Sequence, residues 1–147
     1  MRAYWFPGRR QTRWIKGAHQ LTVDEVRSGV RFDDAVARTA WPVELHDRSD
    51  GYVWEMFPAD HVHYVPLRSL LPPDAHNLVA AGRCADGDAA ALSSVRVMGP
   101  CSAMGAAAAH VLDLAGGSGD GPAGSVHDID VGRLQQRRGA NLGAPAR

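Results

Sequence analysis

Histidines and cysteines are the residues of this sequence whose types and spacing point most directly to chemistry. His61 and His63 fall at strand spacing on one face, where they could begin a metal site if a third ligand came from elsewhere. Cys101 lies one turn inside a predicted helix, where a thiolate could be stabilised, but Cys84 is too distant in sequence to form a C-x-x-C pair. We therefore predict no metal site, and small apolar packing for Cys101.

The central stretch of the chain supplies the elements that must position any such chemistry. The apolar run Leu78–Ala81 ends on Gly82 and predicts a buried strand that feeds a loop. Ser93–Met98 is polar and then alternates between polar and apolar residues. Gly99 and Pro100 then begin a long helix, because proline suits the first helical turn, where its missing N–H needs no partner. Small residues dominate the first turns of this helix and allow a close backbone approach.

Shorter elements precede this stretch. Thr22 and Glu25 form a T-x-x-E capping box, which predicts a short helix that ends at Gly29. Asp33 or Asp34 predicts the start of a second short helix through the apolar residues that follow.

The remaining elements are a strand, a loop and a terminal helix. Alternation over Trp41–His46 predicts a strand, and residues 47–54 are turn-rich. Asp86 and Asp88 lack the twelve-residue ligand spacing of a calcium loop and predict a turn. Asp130 predicts the cap of a last helix.

Composition excludes several classes of function. The 147 residues are 45% hydrophobic, enough to bury a core, and the formal net charge is zero. A neutral chain gives no electrostatic reason to expect nucleic acid or an anionic membrane surface as a partner. The two cysteines and the lack of a long apolar run favour a reducing compartment, so the predicted location is cytoplasmic.

Two segments of the central stretch carry a family resemblance. NLVAAGRC at Asn77–Cys84 and SVRVMGPCSAMGAAAA at Ser94–Ala109 resemble the signature NLLVAGRC, a spacer, then SVRVMxxCxAMGxAAG, of a group of FAD-dependent oxidoreductases. Thr12–Thr22 is similar to that family's R-x-I-x-G-x-Y-x-L-T, with His19 where tyrosine is usual. The resemblance extends over about residues 9–142.

This resemblance implies a fold, a cofactor and a site. The fold would be α/β, an incomplete FAD/NAD(P)-binding (Rossmann-like) fold made of its C-terminal part and some elements of the substrate domain. The cofactor would be FAD, and the turn after the strand and the start of the long helix would contact its ribityl chain and pyrimidine edge. The residues implied at the cofactor are Gly82, Arg83, Ser94, Arg96, Met98, Gly99 and Pro100.

Two further residues are implied on the side of a small-molecule substrate. His46 ends a segment similar to the family's Y-P-I-D-I-H, and a polar residue on a strand edge is the other interpretation. Arg68 ends a segment similar to I-P-Y-R, and it would hold a substrate anion or form a structural ion pair. The chain departs from the family at Ala89 and Ala90, where many relatives carry a His-Glu pair. No acid or base is assigned.

A phosphate-binding turn is expected elsewhere. The only G-x-G-x-x-G, Gly119–Gly124, follows no apolar strand and contains Pro122, so we interpret it as a linker. The expected partner is an N-terminal nucleotide-binding half, from the same gene or a separate chain. The alternative is a truncated, non-catalytic remnant that does not bind FAD on its own. The predicted division is a substrate-side segment (1–76), a flavin-binding strand–loop–helix (77–116), a flexible linker (117–125) and a C-terminal helix and tail (126–147).

Overall fold

The computed structural model describes residues 13–48, 51–116 and 124–143, in which helices and strands are mixed. The helices are α1 (Val23–Ser28), α2 (Ala89–Val95), α3 (Met98–Gly116), α4 (Val131–Arg137) and α5 (Gly139–Leu142), and the strands are β1 (Ala35–Thr39), β2 (Val43–Arg48), β3 (Gly51–Glu55) and β4 (His63–Pro66). Two 3₁₀ turns, Leu67–Ser69 and Gly82–Cys84, complete the described elements. None of the helices described here is both long and apolar enough to cross a membrane.

The strands form two antiparallel ribbons. β1 pairs with β4, and β2 pairs with β3. Within the described ranges, the parallel pairing found is an isolated bridge between Leu21 and Gly87. The α/β class is thus confirmed in its coarse sense, whereas the Rossmann-like sheet stays a prediction. Most of the predicted linker, residues 117–123, lies outside the described residues.

Three local predictions are wrong, and each fails because of the partner that a segment meets. Leu78–Ala81 is not a strand, since no described residue pairs with it in a ladder. Its backbone bonds run from Ala80 N–H to the Leu70 carbonyl, at 2.8 Å, and from Cys84 N–H to the Ala81 carbonyl, at 3.4 Å. Ser93–Met98 does not alternate, because its first residues belong to α2. The second short helix is replaced by β1, which β4 pairs along its length.

The strand predicted at Trp41–His46 is found, shifted slightly, as β2. It extends to Arg48 because β3 pairs with it, so the predicted loop at residues 47–54 contains most of a second strand. A pairing partner, again, decided the outcome.

The helix ends follow the predicted capping chemistry. Thr22 and Glu25 form both hydrogen bonds of the capping box, and Gly29 ends α1 with a left-handed φ of 65°. Asp130 begins α4 by accepting a hydrogen bond from the Arg133 N–H at 3.0 Å. Asp88 begins α2 in the same way. These starts are confirmed because the bonds they need are local.

The predicted long helix is found as α3. Its buried residues recur on one face at helical spacing and are Pro100, Met104, Ala107 and Val111. They join one hydrophobic core that also contains Leu21, Val36, Leu92 and Leu134. The core therefore holds the start of α3 in a defined position against β1 and the Gly82–Cys84 turn.

Candidate functional site

The Gly82 turn lies directly against the first turn of α3. Gly82 has a left-handed φ of 65°, and a Cβ at this position would stand 3.3 Å from Cys101 Sγ. Glycine is thus required here by the backbone conformation and by the closeness of the helix. The turn therefore lies beside the start of the helix, and the constraint seen on Gly82 is a protein contact, whereas its role at a cofactor stays a prediction.

A pocket of about 520 Å³ opens at the start of α3. It is lined by Thr39, Trp41, Arg96, Val97, Met98, Gly99 and Pro100. Four of the predicted cofactor residues, Arg96, Met98, Gly99 and Pro100, are therefore brought together around one space. Met98 is 91% exposed and Trp41 is 41% exposed, so large apolar groups face solvent here. Sequence reasoning missed Thr39 and Trp41, because only the folded chain brings their segment to the helix.

The electrostatics of this pocket favour negative charge. The first N–H groups of an α-helix have no partner within the helix, and its N-terminus carries about half a positive charge. α3 spans 19 residues, and its first intrahelical bond here runs from Cys101 N–H to the Val97 carbonyl, at 3.0 Å. Arg96 is a further lining residue of the pocket. The pocket thus combines apolar walls with a positive end.

Ser94 and Arg83 are placed differently from the pocket residues. The Ser94 side chain is fully buried, and its hydroxyl donates to the Trp41 carbonyl at 2.5 Å. Arg83 is exposed on the Gly82–Cys84 turn. Ser94 therefore acts on the pocket from behind, by holding the backbone of Trp41.

A chain of hydrogen bonds extends inward from Ser94. His63 Nε2 lies 2.8 Å from Ser94 Oγ, and His63 Nδ1 lies 3.2 Å from His61 Nε2. Because the Ser94 hydrogen points to the Trp41 carbonyl, His63 donates from Nε2 and accepts at Nδ1. Burial and, to a smaller extent, the nearby His61 together lower the pKa of His63 to about 4, so His63 is neutral near pH 7.

This arrangement leaves His63 no free nitrogen for a metal. Both of its ring nitrogens are used within the protein, and His61 stacks on Phe57 with ring centroids 4.1 Å apart. In the part of the chain that the structure describes, no three His, Cys, Asp or Glu side chains gather as a metal site would need. His61 and His63 therefore form a packed structural pair.

Of the two substrate candidates, only Arg68 can be assessed. Its guanidinium binds Asp34 with two hydrogen bonds, of 3.0 and 3.2 Å, and Asp34 raises the pKa of Arg68. The geometry favours the structural ion pair over a substrate contact. His46 lies in β2, and its side chain is outside the described part of the structure.

The cysteines and aspartates have structural environments. Burial raises the pKa of the Cys101 thiol, with Arg83 opposing it, so Cys101 is a protonated packing group. Asp86 accepts a hydrogen bond from Gly17 N–H at 2.8 Å. Asp88 accepts one from Ala91 N–H at 2.8 Å. Neither carboxylate resembles a calcium ligand.

The fold and pocket define a mixed α/β protein with an apolar cleft at a helix N-terminus. The model of the family described as FAD dependent oxidoreductase matches residues 4–137, most of the chain. The chain therefore belongs to the FAD-dependent oxidoreductase family, whose cofactor is FAD. Comparisons with curated proteins and with solved structures gave no match.

Proposed function

We propose that this chain is the part of an FAD-dependent oxidoreductase that contacts the isoalloxazine ring and the ribityl chain of the flavin. The observation that carries the proposal is the pocket at the start of α3, which is apolar along its walls and positive at its helix end. An isoalloxazine is a flat, largely apolar ring with a polar pyrimidine edge, so the residues present fit it.

Each side of the pocket has a distinct task in this proposal. Trp41, Val97 and Pro100 would pack on the ring and exclude water. The first N–H groups of α3 and Arg96 would face the pyrimidine edge, where negative charge gathers on reduction. A helix end stabilises an adjacent anion by roughly 0.3–2 kcal/mol. Since about 1.4 kcal/mol equals about 30 mV for a two-electron couple, it would tune the potential by tens of millivolts.

The flavin, when bound, supplies the redox chemistry itself. The chain's own residues hold and orient it, through the Ser94 bond to the Trp41 carbonyl and the contact of Gly82 with Cys101. The substrate is a small molecule whose identity is left open.

We also propose that the nucleotide end of FAD is held by an N-terminal nucleotide-binding half that completes a Rossmann-like fold. Exposed apolar side chains near the pocket support this proposal, because such a surface often marks a contact with another protein segment. Trp54 packs edge-on against Trp41, with ring centroids 6.0 Å apart, and Met56 is 67% exposed. This chain alone would then bind FAD weakly and would not turn over substrate.

Paired glycine substitutions test the flavin site. Gly99 and Gly105 both lie in α3, both are exposed, and a Cβ at either meets no atom within 4 Å. Gly99→Leu fills the pocket, whereas Gly105→Leu adds the same side chain outside the lining residues. Quenching of flavin and tryptophan fluorescence would measure the binding of added FAD.

We expect Gly99→Leu to weaken FAD binding by about tenfold or more, or about 1.4 kcal/mol. Gly105→Leu should bind like the unchanged chain. Equal binding by both variants would contradict the pocket assignment. A folded, unchanged chain that takes up no FAD would instead support the remnant interpretation.

A further inference from the structure

A second pocket, of about 470 Å³, shares no lining residue with the α3 pocket. Its walls come from three separate segments: the turn before β1, strand β4, and the region of α4 and α5. Phe32, Tyr64 and Leu142 supply apolar surface. The volume falls in the range of about 300–1,000 Å³ that is usual for small-molecule sites.

The wall of this pocket carries an arginine that forms no ion pair with the described residues. The Arg31 guanidinium lies 5.7 Å from the centre of the Tyr64 ring, which is cation–π distance. Among the ion pairs of the described residues, none includes Arg31. Asp33 lines the same pocket, and its backbone carbonyl accepts a hydrogen bond from Gln135 Nε2 at 2.7 Å. Arg31 thus lies beside an aromatic ring, and Asp33 is an acidic residue of the same pocket.

Two further arginines neighbour residues of this pocket without lining it, and each has one buried nitrogen that makes no hydrogen bond to the described residues. Arg38 is directly opposite Tyr64 in the β1–β4 pairing, so the two side chains leave the ribbon on the same face. Its Nη1 is buried and makes no hydrogen bond within the described residues. Arg138 is 5% exposed and directly precedes Gly139, which lines the pocket. Its Nε is likewise buried without a hydrogen bond to the described residues, whereas its Nη2 donates to the Ala103 carbonyl at 3.0 Å.

Arg31 is exposed and lines the pocket, so its guanidinium is open to a ligand that enters there. A guanidinium recognises a carboxylate through paired hydrogen bonds, and aromatic walls favour a flat body. We propose that this second pocket binds a small aromatic carboxylate, with the carboxylate at Arg31 and the ring against Phe32, Tyr64 and Leu142. This site is separate from the proposed flavin site and does not depend on it.

The test compares two probes of the same shape that differ in charge. Phenylacetate and phenylacetamide would each be titrated into the full chain, with chemical shift changes of the protein followed by NMR. Arg31→Gln removes the charge of the pocket arginine. Arg133→Gln is the matched control, because Arg133 is also exposed but does not line the pocket.

We expect phenylacetate to shift resonances of Tyr64 and Leu142, and phenylacetamide to bind at least about tenfold more weakly, or by about 1.4 kcal/mol. Arg31→Gln should weaken phenylacetate binding by a similar factor, and Arg133→Gln should not change it. Gly139→Leu gives a second variant, since a Cβ there meets open space and a leucine would fill the pocket. FAD titration of Arg31→Gln should be unchanged.

Three outcomes would overturn the proposal. One is a chain that shows no shift with phenylacetate, and another is equal binding of the acid and the amide. The third is unchanged phenylacetate binding in both Arg31→Gln and Gly139→Leu.

Discussion

At the scale of single residues, the clearest consequence of the fold is the neutral, buried His63. It is fully buried between Ser94 and His61, and burial holds its pKa near 4, below the usual value of 6.5. Because the folded state disfavours protonation, His63 contributes stability above pH 6.5 and loses that contribution as the pH falls from 6.5 to 4. This difference between the folded and usual pKa values corresponds to a free energy of about 3 kcal/mol.

The pH dependence of unfolding tests this environment. Urea unfolding of the unchanged chain should give a free energy of unfolding that falls by about 3 kcal/mol more between pH 6.5 and pH 4 than that of His63→Gln. His127→Gln, at an exposed histidine, should keep the steep pH dependence. Parallel pH profiles for the unchanged chain and His63→Gln would show that His63 is not held neutral by the fold.

At the scale of elements, one aspartate joins two helices. Asp88 caps α2 by accepting from Ala91 N–H at 2.8 Å, and its other oxygen accepts from Val23 N–H at the start of α1, at 2.7 Å. Asp130 caps α4 alone, through Arg133 N–H. The two caps therefore differ in how many helix starts they satisfy.

Alanine substitution should show this difference. Removing an N-cap typically costs about 1 kcal/mol, so we expect Asp88→Ala to lower the free energy of unfolding by about 2 kcal/mol. Asp130→Ala should lower it by about 1 kcal/mol. Chemical denaturation followed by circular dichroism gives both values, and an equal loss in the two variants would mean that the bond to α1 adds nothing.

Cap positions were predictable from the sequence, whereas strand positions were not. Thr22 and Asp130 begin helices where predicted, since a cap bonds to backbone two or three residues away. Asp33 or Asp34 predicts the start of a short helix, but β4 lies some thirty residues further along the chain and imposes a strand. Leu78–Ala81 shows the reverse case, an apolar run that pairs with no strand among the described residues.

At the scale of the whole molecule, a single core links the predicted segments. Leu21 near the start of the described chain, Met104 in α3 and Leu134 in α4 are all fully buried in the same cluster. Helix α4, which carries Leu134, is therefore packed on the elements that form both pockets. Its removal would expose surface shared with the rest of the molecule.

Cooperative unfolding tests this linkage. Leu134→Ala leaves a cavity and should lower the free energy of unfolding by about 2–5 kcal/mol. Tryptophan fluorescence and far-ultraviolet circular dichroism should then report one shared transition at a lower urea concentration. Because Leu112 on α3 is about half exposed, Leu112→Ala should cost much less. Separate transitions by the two probes would indicate an independently folding C-terminal segment.

The sequence by itself determined the family, the FAD cofactor, the helix caps and the long α3, because motifs and caps are local patterns of neighbouring residues. Tertiary structure decided which residues share a pocket. Trp41 reaches the start of α3 only because Ser94 holds its carbonyl, and Arg68 meets Asp34 only through the folding of β1 beside β4. The physical reason is that packing and strand pairing join residues far apart in the chain, and no local pattern records which partner each will meet.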